Sequence, residues 1–288
     1  PTQISPPGSG AIRLDQTISG YYDFAQETTR ADSSLTIRQG GTSLGALAIT
    51  FSRARSDGGP VMDFGLNIQE VTDRALNLVL RTDGSVSLRS AHMSGFVNAH
   101  AIGEQYHIRS LLTGQQLQAV TEKGTTPPLD VDLAQTGTFD LRTRTATLDL
   151  FELRVAEGDR VLLAGELNHS LTIRLGTGGA EHQYTSAQTT PQADWKMTVN
   201  DIDVTEVHQW GEVFGWKGFR GVDRGKLAGT VALSGRDNGN AIDVGARLII
   251  SNVRMAGADS PSDRASLQID HEIDGTITNL MMLQLHSW

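Results

Sequence analysis

The chain has 288 residues, with 24 Lys and Arg against 33 Asp and Glu and a formal net charge of -9, which argues against a surface built to neutralise nucleic-acid phosphates or anionic headgroups. It has no cysteine, so a disulfide framework, a thiolate zinc site and a cysteine nucleophile are excluded. The length suffices for one large domain or two ordinary ones, and no run of about 18 apolar residues reads as a membrane helix.

The sequence opens on "PTQISPPGSG", without an initiator Met, a charged n-region or an apolar h-region, and closes on "LMMLQLHSW" inside an apolar pattern. The expectation is an excerpt of a longer chain whose targeting or membrane segment lies elsewhere. Between these ends, short alternating runs rich in Thr, Ser and β-branched residues predict strands. They fall at 33–39, 45–54, 76–82, 85–90, 146–155, 170–175, 196–204, 226–234, 246–255 and 266–277. Asp57-Gly58-Gly59, Asp83-Gly84, Glu157-Gly158-Asp159 and Asn238-Gly239 accept positive φ at low cost and predict hairpin turns.

In "ATLDLFELRV" the apolar phase runs Ala146, Leu148, Leu150 and then Phe151, Leu153, Val155. Side chains alternate with period 2, so the switch predicts a β-bulge and strong local curvature. The polar stretch 176–194 predicts a loop or boundary between a repetitive β region at 1–175 and a helix-plus-β region at 195–288. In the latter, Val204, Val207, Trp210, Val213 and Phe214 recur at helical spacing. They predict one short amphipathic helix near 204–216, capped by Asp203 or Thr205.

A phrase with glycine inside an alternating run recurs at Gly20, Gly95, Gly137, Gly229 and Gly275. Glycine packs nothing in a strand and weakens it, so its recurrence marks bends or close backbone approach. The spacings suggest a loose unit of about 45 residues in a quasi-repetitive architecture.

Catalytic and metal motifs are thin. "GTSLG" at 41–45 fits a nucleophile elbow with Ser43, but a strand rather than a helix follows it. "HEID" at 271–274 lacks the second His of a zinc motif, and His100 with His107 is the closest histidine pair. "DVD" at 130–132 and "DID" at 201–203 read as solvated strand faces. "GTGG" at 176–179 has neither a Lys-Ser/Thr ending nor a following helix. Asn168-His169-Ser170 is a glycosylation sequon. The expectation is a non-enzymatic protein with no cofactor and no metal.

The apolar strand faces remain as the candidate site: Leu148, Leu150, Leu171, Ile173, Leu175, Leu227, Val231, Leu233, Leu248 and Ile250. They either close into a sandwich core or line an open groove that receives acyl chains, each buried methylene contributing about 0.8 kcal/mol. Aromatics make up only 6% of the chain, so covering material for a closed core is scarce.

From the helix onward the sequence resembles the AsmA-like proteins of the bacterial cell envelope, the AsmA, YhdP and TamB types. The resemblance rests on about 195–257. It runs through the phrase with Gly225, Leu227, Gly229, Val231, Leu233 and Gly235, then the strand with Ala246, Leu248, Ile250, Val253 and Met255. "TGTFDLRTRTATLDLFELRVAEGDRVLLAGEL" at 136–167 is similar to the strand pairs that precede it in such proteins. The resemblance implies an all-β fold, a long, strongly curved, taco-like antiparallel sheet of successive hairpins. Its apolar channel would bind or conduct phospholipid in the periplasm between inner and outer membranes, alongside membrane-protein partners. The other open reading is a structural or adhesive β module with a closed core.

Overall fold

The computed structural model describes residues 2–4, 11–80, 87–121, 124–174, 194–213, 222–236, 241–255, 267–278 and 282–287. The strands are β1 (Thr2–Ile4), β2 (Ile12–Asp23), β3 (Thr28–Gln39), β4 (Thr42–Ser56), β5 (Gly59–Thr72), β6 (Ser87–Ile102), β7 (Gln105–Thr121), β8 (Gly124–Thr125), β9 (Leu129–Asp140), β10 (Thr145–Glu157), β11 (Arg160–Leu167), β12 (Leu171–Arg174), β13 (Trp195–Asp203), β14 (Val222–Arg236), β15 (Ala241–Met255), β16 (Leu267–Thr278) and β17 (Met282–Ser287). Two helices interrupt them, α1 (Asp73–Leu80) and α2 (Val204–Val213).

All strands join one antiparallel sheet that does not close on itself. Each long strand pairs with its sequence neighbour, apart from two local substitutions. β9 returns to β7 past the short β8, and β11 and β12 share the edge of β10 before β13 continues from β11. The expected antiparallel all-β meander is therefore the fold, and the sheet runs on both sides of the expected boundary at 176–194. That stretch lies outside the described residues, save Asp194.

Curvature follows from packing. Leu129 on β9 and Val253 on β15 belong to one buried cluster with Leu162, Val199, Ile202, Val204, Leu227 and Ile250. Five strand spacings separate them in the sheet, about 24 Å if it were flat. Side chains that far apart share a core only if the sheet curls, and α2 lies inside the curl, near β13, β14 and also β7. A second cluster gathers Ile12, Ile37, Leu44, Val71 and Ala75 under α1.

The predicted bulge is present: Leu148 pairs with Gly137 and Leu150 with Thr136, leaving Asp149 unmatched. It is one of a set that occurs twice. On β5, Ile68 faces Gly95 and Val71 faces Met93; on β13, Val199 faces Gly229 and Ile202 faces Leu227. Both strands skip two residues at the bulge, the second of each pair (Glu70, φ 47; Asp201, φ 41) taking positive φ. Both then enter a helix.

The correspondence continues strand by strand. β6 and β7 shift register between Leu88 and Ser90 and between Ser90 and His92; β14 and β15 do so between Val222 and Arg224 and between Arg224 and Lys226. Gln116 (φ 52) and Asn252 (φ 54) sit in the equivalent bulges opposite β9 and β16. On β17, His286 is skipped as Asp149 is on β10, beside Gly275 and Gly137 respectively. The chain thus contains two copies of one module, β5-α1-β6-β7-β9-β10 and β13-α2-β14-β15-β16-β17. This corrects the 45-residue unit: Gly95 and Gly137 are two different positions within one module, matched by Gly229 and Gly275 in the next.

A second correction concerns 76–82, expected as a strand. Asp73–Leu80 is helix α1. Leu76, Leu78 and Leu80 alternate as in a strand, but the bulge at Glu70 ends β5 and the next turn is helical. Ala75 is buried, and Leu76 and Leu78 pack against the cluster it joins. Asn77 then holds the start of β6 as a strand neighbour would, its Nδ2 donating to the Leu88 carbonyl at 2.7 Å and its Oδ1 accepting from the Leu88 amide at 2.7 Å. The predicted helix α2 is present, and its Asp203 cap accepts from the Thr205 amide at 2.9 Å.

Candidate functional site: one apolar face

Residues paired across antiparallel strands point to the same side of the sheet, so the registers sort every strand into two faces. One face carries Leu35 and Ile37 of β3, Leu47, Ile49 and Phe51 of β4, and Phe64, Leu66 and Ile68 of β5. It goes on through Val97 and Ala99, Ile108 and Leu112, Leu133, then Leu148, Phe151 and Leu153. The opposite face presents Thr50, Ser52, Asp63, Asn98, His100, His107, Arg109, Thr136 and Thr138 over the same strands.

Most of the expected groove residues fall on the apolar face. Leu171 pairs with Leu148 and Ile173 with Ala146. Leu227, Val231 and Leu233 face Ile202, Met197 and Trp195 on one side and Ile250, Ala246 and Val244 on the other. Leu248 lies opposite Gly229. Leu150 does not join them: the bulge turns it to the polar face opposite Thr136, where it is 38% exposed. Leu175 lies outside the described residues.

Coverage of the apolar face is uneven. At the end where the helices dock, Leu227 and Ile250 are buried, as are Val71 and Ile202; Leu171, farther off beside Leu148, is buried as well. Arg160, in the β11 end of the β10–β11 hairpin, donates to Glu157 at 2.6 Å and to both oxygens of Glu206 on α2 at 2.9 Å, tying that helix down. Toward the other end the face opens. Ile49 is 41%, Phe64 40% and Ile108 37% exposed, and Val97, Leu148 and Val231 are half-buried. The sequence reading missed the contribution of β4 to β7; the signal was there in the alternation of "GALAITF" and "DFGLNIQ".

The polar face carries a shallow hollow of about 470 Å³ bordered by Asp63, His100, His107, Arg109 and Asp149. His100 and His107 are direct cross-strand neighbours. His100 Nδ1 lies 2.6 Å from Asp63 Oδ1, and Ser52 Oγ donates to Asp63 Oδ2 at 3.2 Å. The hydrogen bond from His100 holds the Asp63 carboxyl below its ordinary range. The carboxylate stands between hydroxyl and imidazole, so the imidazole does not reach Ser52 to take its proton, as nucleophilic catalysis requires.

The remaining motifs take structural places. Ser43 is exposed within β4 opposite Arg38, with no strand-to-helix elbow around it. Asp130 accepts the Gln116 amide of the β7 bulge at 2.8 Å, and Asp203 caps α2. Among the described residues, no group of three His, Cys, Asp or Glu is placed to hold a metal ion, and no helix is long and apolar enough to cross a membrane. "GTGG" at 176–179 and most of "HEID" at 271–274 lie outside the residues whose side chains are described. Compared with known protein families, curated proteins and solved structures, the chain matches none.

Proposed function

We propose that this chain binds acyl lipid along the apolar face of its curled sheet and acts by holding or passing that lipid rather than by catalysis. One observation carries the reading. The sheet has one predominantly apolar face and one that mixes polar residues with Phe96, Leu111 and Leu150, and away from α1 and α2 the apolar face keeps large residues such as Ile49, Phe64 and Ile108 substantially exposed. Contiguous apolar surface of that kind marks a binding site. Dispersion and water exclusion along such a face suit a flexible chain of methylenes, each contributing about 0.8 kcal/mol.

The resemblance to AsmA-like envelope proteins supports the same reading and supplies its setting, phospholipid moving through the periplasm between two membranes. Two modules in tandem fit it as well, since repeating a sheet module lengthens an apolar path without changing its cross-section. The test is lipid extraction and native mass spectrometry of the purified chain. Co-purifying phospholipid is expected; a lipid-free protein that takes up no fluorescent acyl probe refutes the proposal in favour of a closed β module.

A further inference from the structure

The apolar face ends in a polar mouth. On β4, Ile49 and Phe51 are followed on the same side of the sheet by Arg53 and Arg55, at the end of the β4–β5 hairpin that lies farthest from α1. Arg53 pairs across the sheet with Thr29 of β3, and Thr29 pairs with Tyr22 of β2. A hollow of about 530 Å³ opens over this row, bordered by Tyr22, Glu27, Thr29, Arg53, Arg55 and Asp57. Tyr22 and Arg53 are exposed and Thr29 is half-buried, so their polar atoms are open to a ligand arriving from solvent.

The charges around the hollow differ in what they already hold. Arg55 Nη1 donates to both carboxylate oxygens of Glu27, at 3.2 and 2.9 Å, and the two neutralise each other. The side chains of Arg53 and Asp57 have no hydrogen-bond or ion-pair partner among the described residues. A free guanidinium offers parallel N–H donors that fit two oxygens of a phosphate, and the hydroxyls of its row neighbours Thr29 and Tyr22 can donate to the same group. A free carboxylate on the same hollow suits a cation carried beside that phosphate. Directly inward from Arg53 the face presents Phe51, Phe64 and Ile49, the last two 40% and 41% exposed. A ligand whose phosphate rests on Arg53 therefore has apolar floor next to it for its chains.

We propose that the hollow around Arg53 receives the zwitterionic head group of a phospholipid, with the phosphate on Arg53, Thr29 and Tyr22 and the ammonium toward Asp57, and so sets the polar end of the lipid at the open end of the groove. This rests on the lipid-groove reading and adds the head-group class and the direction of the lipid to it. The test titrates the full chain with dioctanoyl phosphatidylethanolamine, dioctanoyl phosphatidylglycerol, dioctanoylglycerol, which has the chains without a head group, and glycerophosphoethanolamine, which has the head group without chains. The wild type is expected to favour the phosphatidylethanolamine over dioctanoylglycerol by at least about fivefold, the equivalent of one net hydrogen bond. Over the phosphatidylglycerol the preference is smaller, about two- to fivefold, because Asp57 acts at an exposed site. Arg53→Gln is expected to bring the phosphatidylethanolamine within about twofold of dioctanoylglycerol. Its melting curve should match wild type, since Arg53 is exposed and unpaired.

Equal affinity of the wild type for the phosphatidylethanolamine and dioctanoylglycerol overturns the head-group site and leaves the groove standing. Phosphatidylglycerol bound as tightly as phosphatidylethanolamine overturns the zwitterionic assignment. Glycerophosphoethanolamine bound as tightly as the phospholipid makes the hollow a site for a soluble phosphate ligand and overturns the lipid. Failure to bind any of the three acyl lipids overturns the groove and the head-group site with it.

Discussion

Gly229 on β14 stands to Leu248 on β15 as Gly95 on β6 stands to Leu112 on β7. At each glycine a Cβ would collide with the backbone carbonyl oxygen before the paired leucine, that of Arg247 or of Leu111, and each has a φ that disfavours other residues, 156° and 149°. The strands are drawn together at these two points beside the bulges that precede the helices. Gly229→Ala and Gly95→Ala should therefore each cost about 2 to 4 kcal/mol in denaturant unfolding. Gly245→Ala, where a Cβ meets nothing within 4 Å, should stay within about 0.5 kcal/mol of wild type.

Leu148 and Leu150 lie two residues apart and the bulge at Asp149 sends them to opposite faces. Leu150→Asp should leave both stability and acyl-probe uptake close to wild type. Leu148→Asp places a carboxylate on the apolar floor and should reduce uptake at least tenfold. Parallel titrations with the probe and circular-dichroism melts of the two variants check this.

The helix α2 is held at its start and along its side. Burial works to raise the Asp203 carboxyl, but the Thr205 hydroxyl and amide together with Lys226 outweigh it, and Asp203 titrates below its ordinary range. A depressed folded-state pKa means that the cap's stability is fully present above the unfolded value near 3.9 and is lost as pH falls through the folded value. Asp203→Ala should cost about 1 kcal/mol at neutral pH. That difference from wild type should shrink in acid melts as pH falls through the depressed folded-state value.

Arg160 reaches α2 from the β10–β11 hairpin, with its side chain 38% exposed and Glu206 20% exposed. Screening limits such a pair, so Arg160→Ala should lower global stability by only about 0.5 to 1 kcal/mol. Its local effect should be larger: amide exchange in α2 should speed up while that in α1, which is tied to β3 by Arg74 and to β6 by Asn77 instead, stays the same.

Much of this architecture was legible in the sequence because β patterning is local. The switch from Leu148 to Phe151 exposed the bulge, and Asp203 with Val204 and Val207 exposed α2. Helix α1 was hidden because Leu76, Leu78 and Leu80 keep a strand's period, and what makes them helical is the bulge at Glu70, a feature of pairing with Gly95. The module was hidden for a related reason. Its length shows only when the registers of Gly95 and Gly229 are laid side by side, since the glycine phrases within a module resemble one another as closely as those between modules. In "HIRSLLTG" Ser110 reads as one more small polar residue of a strand, and nothing local says that it faces the apolar side and is buried there.

Uptake of a fluorescent acyl probe by wild type and Val231→Asp tests most directly whether the apolar face holds acyl lipid. Val231 is half-buried on that face between Met197 and Ala246. Saturable uptake by the wild type, at least tenfold weaker in a Val231→Asp protein whose melting curve is nearly unchanged, is the predicted result. No uptake by the wild type, with Val231→Asp unfolding the chain, would contradict the account and identify the face as a closed core.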